Sequence, residues 1–99
     1  PISRQVIVLT GATSGIGLAT ARMAARRGAK LVLTARNAEA LSQLVEELRA
    51  TGAEAEWIAA DVADKPAVER VAAFAVEKFG GFDTWVNDAG AFTLGHLED

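Results

Sequence analysis

The apolar positions of this chain fall into short runs separated by longer stretches of helical period. Gln5 to Thr10 reads QVIVLT, an uninterrupted, largely β-branched run that stops at Gly11. Such a run suits a strand buried on both faces better than one alternating between core and solvent. From Gly15 to Arg27 the residues Ile16, Ala19, Thr20, Met23 and Ala24 recur at helical spacing, and Gly28 supplies a residue tolerant of positive φ just past the end. The alternation then repeats. Lys30 to Ala35 (KLVLTA) is a second strand, and Asn37 caps a second helix with Leu41, Leu44, Val45 and Leu48 on one stripe ending near Gly52. Glu54 to Ala60 gives a third strand. Asp64 and Pro66 open a third helix running through Val68, Val71, Ala72, Ala75 and Phe79 to Gly80-Gly81, and Thr84 to Asn87 begins a fourth strand.

Strands that alternate with helices of ten or more residues predict an α/β fold. Its sheet is parallel and doubly wound, with right-handed crossovers and helices on both faces. The expected strand order is 3-2-1-4, with the sequence ending just past the fourth strand, in mid-architecture. No linker, low-complexity stretch or second domain is visible, so residues 1–99 are expected to form one incomplete domain.

Composition narrows the partners. The chain has 99 residues, of which 51% are hydrophobic, enough for one core. A net charge of −3 without a long Lys/Arg run offers no footprint for nucleic acid or an anionic membrane, which favours small-molecule partners. The absence of cysteine excludes a disulfide framework, a thiolate metal site and a cysteine nucleophile, and fits the cytoplasm. No apolar run is long enough to span a membrane, and Pro1-Ile2-Ser3-Arg4 lacks the features of a signal peptide.

The segment Thr10-Gly11-Ala12-Thr13-Ser14-Gly15-Ile16-Gly17 lies between the first strand and the first helix, at the carboxyl edge where a parallel sheet receives ligands. Gly11 permits a tight turn off the strand, Gly15 lets the backbone approach a phosphate, and Gly17 lets the helix pack closely. The Thr13 and Ser14 hydroxyls lie nearby. Main-chain amides around Ser14 to Ile16, with about half a positive charge at the helix N-terminus, make an anion site without a lysine. Three glycines in a plain turn are the alternative. A phosphate-binding P-loop is excluded, because Leu18-Ala19 follows Gly17 where that motif needs Lys and Ser/Thr.

The spacing Gly11, Gly15, Gly17 resembles the Thr-Gly-x-x-x-Gly-x-Gly signature of the short-chain dehydrogenase/reductase family. Asp61-Val62 after the third strand looks like its adenine-binding Asp-Val pair, and Asn87-Asp88-Ala89-Gly90 looks like its Asn-Asn-Ala-Gly motif. The resemblance covers essentially the whole chain and implies a Rossmann-type dinucleotide-binding domain. By that likeness Asp61 and Val62 hold the adenine amino group, Asn87 ties neighbouring strands together, and Ala89 and Gly90 leave room for the cofactor ribose. The alternatives are a turn-capping aspartate and an ordinary tight turn. Asp88 departs from the family's second Asn, exchanging an amide for a carboxylate that only accepts when ionised.

Members specific for NAD carry an acidic residue near the end of the second strand, for the ribose 2′-hydroxyl. This chain has Ala35-Arg36 there. A guanidinium matches a 2′-phosphate with a planar fork of donors, so NADP(H) is the expected cofactor, with NAD(H) second. The other reading of Arg36 is a side chain that only solvates the helix start, and Ser14 stands where many NADP-using relatives have a second basic residue.

The family's chemistry uses a Tyr-x-x-x-Lys pair with Ser and Asn beyond the matched segment, and this sequence has no tyrosine. The chain alone is therefore expected to be inactive, with no catalytic residue of its own and no metal ligand. It is expected to be the cofactor-binding part of an oxidoreductase that moves hydride between a nicotinamide and an alcohol or ketone. The complete protein is expected to be a homo-oligomer, if it associates at all. A non-catalytic nucleotide-binding module and a structural fragment with an open strand edge are the rival readings. His96 reads as solvated loop, Trp57 and Trp85 as sheet packing, and Glu46-Glu47-Leu48-Arg49 as a wet helix face.

Overall fold

The computed structural model describes residues 5–13 and 15–87. Seven elements alternate strictly: β1 (Val6–Thr10), α1 (Gly15–Arg26), β2 (Lys30–Ala35), α2 (Ala38–Ala50), β3 (Ala55–Ala59), α3 (Lys65–Phe79) and β4 (Thr84–Asn87). The strands form one sheet in the order β3-β2-β1-β4, with every neighbouring pair parallel. This is the doubly wound arrangement expected from the alternating pattern.

The pleat decides which side chains meet which helices. Ile7 and Leu9 on β1, with Leu31 and Leu33 on β2, face α1 and α2, where Ala21, Ala24, Leu41, Leu44, Val45 and Leu48 close the larger core. Val8 and Val32 point to the opposite face and pack on Ala67, Val71 and Ala75 of α3. Every residue of β1 is buried, as a strand covered on both sides requires. Trp57 packs against the first core and Trp85 against the second, so both tryptophans serve the sheet.

The α2 stripe of Leu41, Leu44, Val45 and Leu48 is buried as its spacing predicts. The expected stripe on α1 is buried only at Ala24. Its buried residues are Gly17, Ala21 and Ala24, whereas Ile16 is 77% and Met23 47% exposed. Small residues at this spacing let the helix axis come close to the sheet, and that proximity turns the larger side chains outward. A similar offset occurs on α3, where Ala67, Val71 and Ala75 are buried and Val68, Ala72 and Phe79 only partly so.

The ends of the elements follow local chemistry. Gly80 closes α3 in the left-handed conformation with φ +82°, and its N–H donates to the Val76 carbonyl. Pro66 sits in the first turn of α3, where a missing N–H costs nothing. At the amino edge of the sheet the Val6 N–H donates to Asp83 Oδ2 (2.8 Å) and the Asp83 N–H returns to the Val6 carbonyl (2.8 Å), fixing β4 beside β1. Arg49 guards the edge strand β3. Its Nε donates to the Ala55 carbonyl at 2.9 Å and its Nη2 lies 3.1 Å from Glu56 Oε1. No helix among the described residues is long and apolar enough to cross a membrane.

Candidate nucleotide-binding site

The chain winds from β1 outward to β2 and β3, then returns to place β4 on the other side of β1. The carboxyl edge at such a reversal, here between β1 and β4, is the general position of ligands in open α/β sheets. Registers place the motifs along that edge. Thr10 is paired with Thr34 and with Asn87, and Ala35 with Ala59. The residues that follow these strand ends are Gly11, Arg36, and the Ala60-Asp61 pair.

Gly11 turns the chain off β1 with φ +67°, a conformation that L side chains rarely adopt. The Ala12 N–H donates to the Thr34 carbonyl (3.3 Å), tying the start of the loop to β2. Gly17 makes the tightest contact. A Cβ built there would lie 2.1 Å from the Gly11 carbonyl oxygen and 2.9 Å from its carbon, so only glycine lets α1 begin this close to the turn. Gly15 is the opposite case. It is the first residue of α1 and exposed, and a Cβ on it would meet no atom of the described residues within 4 Å. Thr13 lies half-buried in the same loop and Ile16 projects into solvent. The first amides of an α-helix have no partner within the helix, and those of α1 begin beside this open space.

Arg36 is exposed immediately past β2, and its guanidinium has no ion pair among the described residues. It stands one residue before Asn37, whose Oδ1 accepts from the Ala40 N–H at 3.0 Å and caps α2. The cap expected at Asn37 from the sequence is therefore present. Asp61 is exposed past β3, and its Oδ1 accepts from the Ala63 N–H at 3.0 Å. That bond is the turn-capping role weighed above, and it engages only one of the two carboxylate oxygens. Val62 is half-buried beside it. Ser14, Asp88, Ala89 and Gly90 lie outside the described residues.

Two further hydroxyls belong to this edge, that of Thr10, which opens the glycine-rich segment, and that of Thr34, which the sequence did not single out. Thr10 is fully buried and its Oγ1 donates to Asn87 Oδ1 at 2.7 Å, joining β1 to β4 at the point where strand order reverses. Thr34, its register partner on β2, is also fully buried, and its Oγ1 has no hydrogen-bond partner among the described residues. The signal available in the sequence was a hydroxyl at the same place in two aliphatic runs, VIVLT and KLVLT.

These features fit a dinucleotide. Gly15 presents open backbone at the start of α1, Arg36 is exposed past β2, and a buried hydroxyl with no partner among the described residues lies near the same edge. The family model described as short chain dehydrogenase matches residues 5–99. An uncharacterized oxidoreductase of Bacillus subtilis is 57% identical over 95 residues, which cover 96% of this chain and 27% of that protein. A variant of actinorhodin polyketide ketoreductase solved with NADPH superposes with a TM-score of 0.83 at 40% identity, covering 91% of this chain and 34% of that one. A short-chain dehydrogenase/reductase from Burkholderia phymatum in complex with NAD gives a TM-score of 0.79 at 41% identity, covering 82% of this chain and 29% of its own. The chain thus spans about a third or less of the length of these relatives, and the nicotinamide cofactor differs among them. With the glycine turn, the parallel sheet and the matched family model in agreement, this chain belongs to the short-chain dehydrogenase family.

Proposed function

We propose that residues 1–99 form the cofactor-binding domain of an NADP(H)-dependent oxidoreductase that transfers hydride between the nicotinamide and an alcohol or ketone. The observation that carries this reading is the contrast within one loop, where Gly17 is packed against Gly11 while Gly15 faces open space. Such a turn holds the start of α1 firmly and leaves its leading amides accessible to an anion. The residues assigned to the cofactor site are Gly11, Thr13, Ser14, Gly15, Ile16 and Gly17 for the diphosphate, Arg36 for the 2′-phosphate, Asp61 and Val62 for the adenine, and Ala89 and Gly90 for the ribose, with Asn87 tying the neighbouring strands together. The nicotinamide supplies the hydride chemistry. This chain's part is to bind and orient it.

The choice of NADP(H) rests on Arg36, an exposed guanidinium with no ion pair among the described residues. Charge-assisted hydrogen bonds of this kind contribute about 1.5–3 kcal/mol, equivalent to a preference of about ten- to hundredfold. A chain without cysteine suits the reducing cytoplasm. Fluorescence titration with NADPH and NADH, reading Trp57 and Trp85, tests the proposal. NADPH is expected to bind the tighter by that factor, with Arg36→Asp abolishing the difference. Equal affinities in the unaltered chain, or an unchanged ratio in Arg36→Asp, would overturn the NADP(H) assignment.

A further inference from the structure

The one buried polar side-chain atom without a partner among the described residues is the Thr34 hydroxyl. A hydroxyl sealed from water and left unpaired destabilises the fold relative to an apolar group of the same shape. Valine has nearly that shape, and Val8 and Val32 already occupy the same face of the sheet. The hydroxyl is therefore a burden on the fold at this position. Its location gives the burden a purpose. Thr34 is paired in register with Thr10 on one side and Ile58 on the other, and it precedes Arg36 by two residues. Thr10 has already spent its proton on Asn87 Oδ1. On the β3 side, the Ala60 N–H donates to the Ala35 carbonyl at 2.9 Å, holding the start of the Asp61-Val62 turn against the end of β2. The unpaired group thus lies under the part of the carboxyl edge bounded by Arg36 and Asp61.

We propose that Thr34 is a positioning residue for the adenosine half of the cofactor, its hydroxyl joined to the bound nucleotide through one water enclosed beneath the adenine. This rests on the reading of the edge as a dinucleotide site. An enclosed water with two or more polar partners is a stable element of a protein interior, and here the nucleotide completes its set of partners. The hydroxyl then contributes little to the free chain and acts when the adenosine half is bound.

The experiment compares Thr34→Ser, Thr34→Ala and Thr34→Val in the full chain. Affinity for 2′,5′-ADP, the adenine half alone, and for NADPH is measured by calorimetry, with thermal unfolding in the absence of ligand. Thr34→Val should keep or raise the Tm of the free chain and weaken both ligands about three- to tenfold, while Thr34→Ser stays close to the unaltered protein. Thr34→Ser and Thr34→Ala differ only in the hydroxyl, so that pair decides the matter if valine disturbs packing. Equal affinities for the serine and alanine variants would overturn the proposal, as would weakening confined to NADPH. Failure of the unaltered chain to bind either ligand would remove the dinucleotide reading and this inference with it, an outcome distinct from binding that Thr34 does not affect.

Discussion

Two strand-to-helix junctions sit side by side on the same edge and are built in opposite ways. The β2–α2 junction uses a side chain, with the Asn37 carboxamide folding back to accept from the Ala40 N–H. The β1–α1 junction uses bare backbone, with a positive φ at Gly11 and Gly17 set directly on the Gly11 carbonyl. A helix start that only needs to be finished can carry its own cap. One that must receive a ligand phosphate is served better by glycine, which holds the turn in place and keeps the approach clear. The junction after β3 is intermediate, because Asp61 caps its turn through one oxygen and keeps the other.

Substitutions can break this contrast. The largest effect is expected for Gly17→Ala, since the added Cβ would fall 2.1 Å from the Gly11 oxygen and backbone on one side must move. Overpacking of this severity costs about 3 kcal/mol or more, so urea unfolding should show a much lower midpoint and NADPH binding should be lost. Gly15→Ala separates stability from binding. With nothing near the new methyl group and a helical position to gain from alanine, the fold should be unchanged or up to about 1 kcal/mol more stable, while NADPH affinity falls at least severalfold. A Gly15→Ala chain that binds NADPH normally would show that the open space is not used.

Asn37→Ala tests the neighbouring junction and should cost about 1 kcal/mol of stability through loss of the α2 cap. The smallest effect belongs to the pair that joins α1 to α2 away from the edge. There Arg22 Nε donates to Glu47 Oε2 at 2.7 Å and Nη2 to Oε1 at 3.0 Å. The hydrogen bond from Arg22 holds the Glu47 carboxyl below its ordinary value of 4.5, and the bond to Glu47 raises the arginine. Because the folded-state value of Glu47 is depressed, its contribution is present above 4.5 and is lost as pH falls through that lower value. Comparing Glu47→Gln with the unaltered chain should therefore show a slight Tm deficit near neutrality that closes in acid. The same deficit should shrink in about 1 M salt, because both groups are exposed.

The sequence made some of this legible and not the rest, for physical reasons. The aliphatic runs at Gln5–Thr10 and Lys30–Ala35 announced buried strands, and the stripe on α2 carried large side chains that could only face inward. Helix α1 was harder. Its core face is Gly17, Ala21 and Ala24, so a search for bulky residues selected Ile16 and Met23, which point outward. The glycine loop was readable because two of its glycines answer a backbone demand, a positive φ at Gly11 and a close approach at Gly17. The partners of the Thr10 and Thr34 hydroxyls were not. In a β-branched run a threonine resembles valine, and only the folded structure reveals that one hydroxyl reaches Asn87 and the other has no partner among the described residues.

We expect the leading amides of α1 to receive a diphosphate, which amide-resolved NMR during titration with NADPH reads residue by residue. The Gly15 and Ile16 resonances should shift and saturate with the same dissociation constant as the tryptophan signal, while Gly52 past the far end of α2 stays still. Saturation of the fluorescence change with Gly15 and Ile16 unmoved would contradict it.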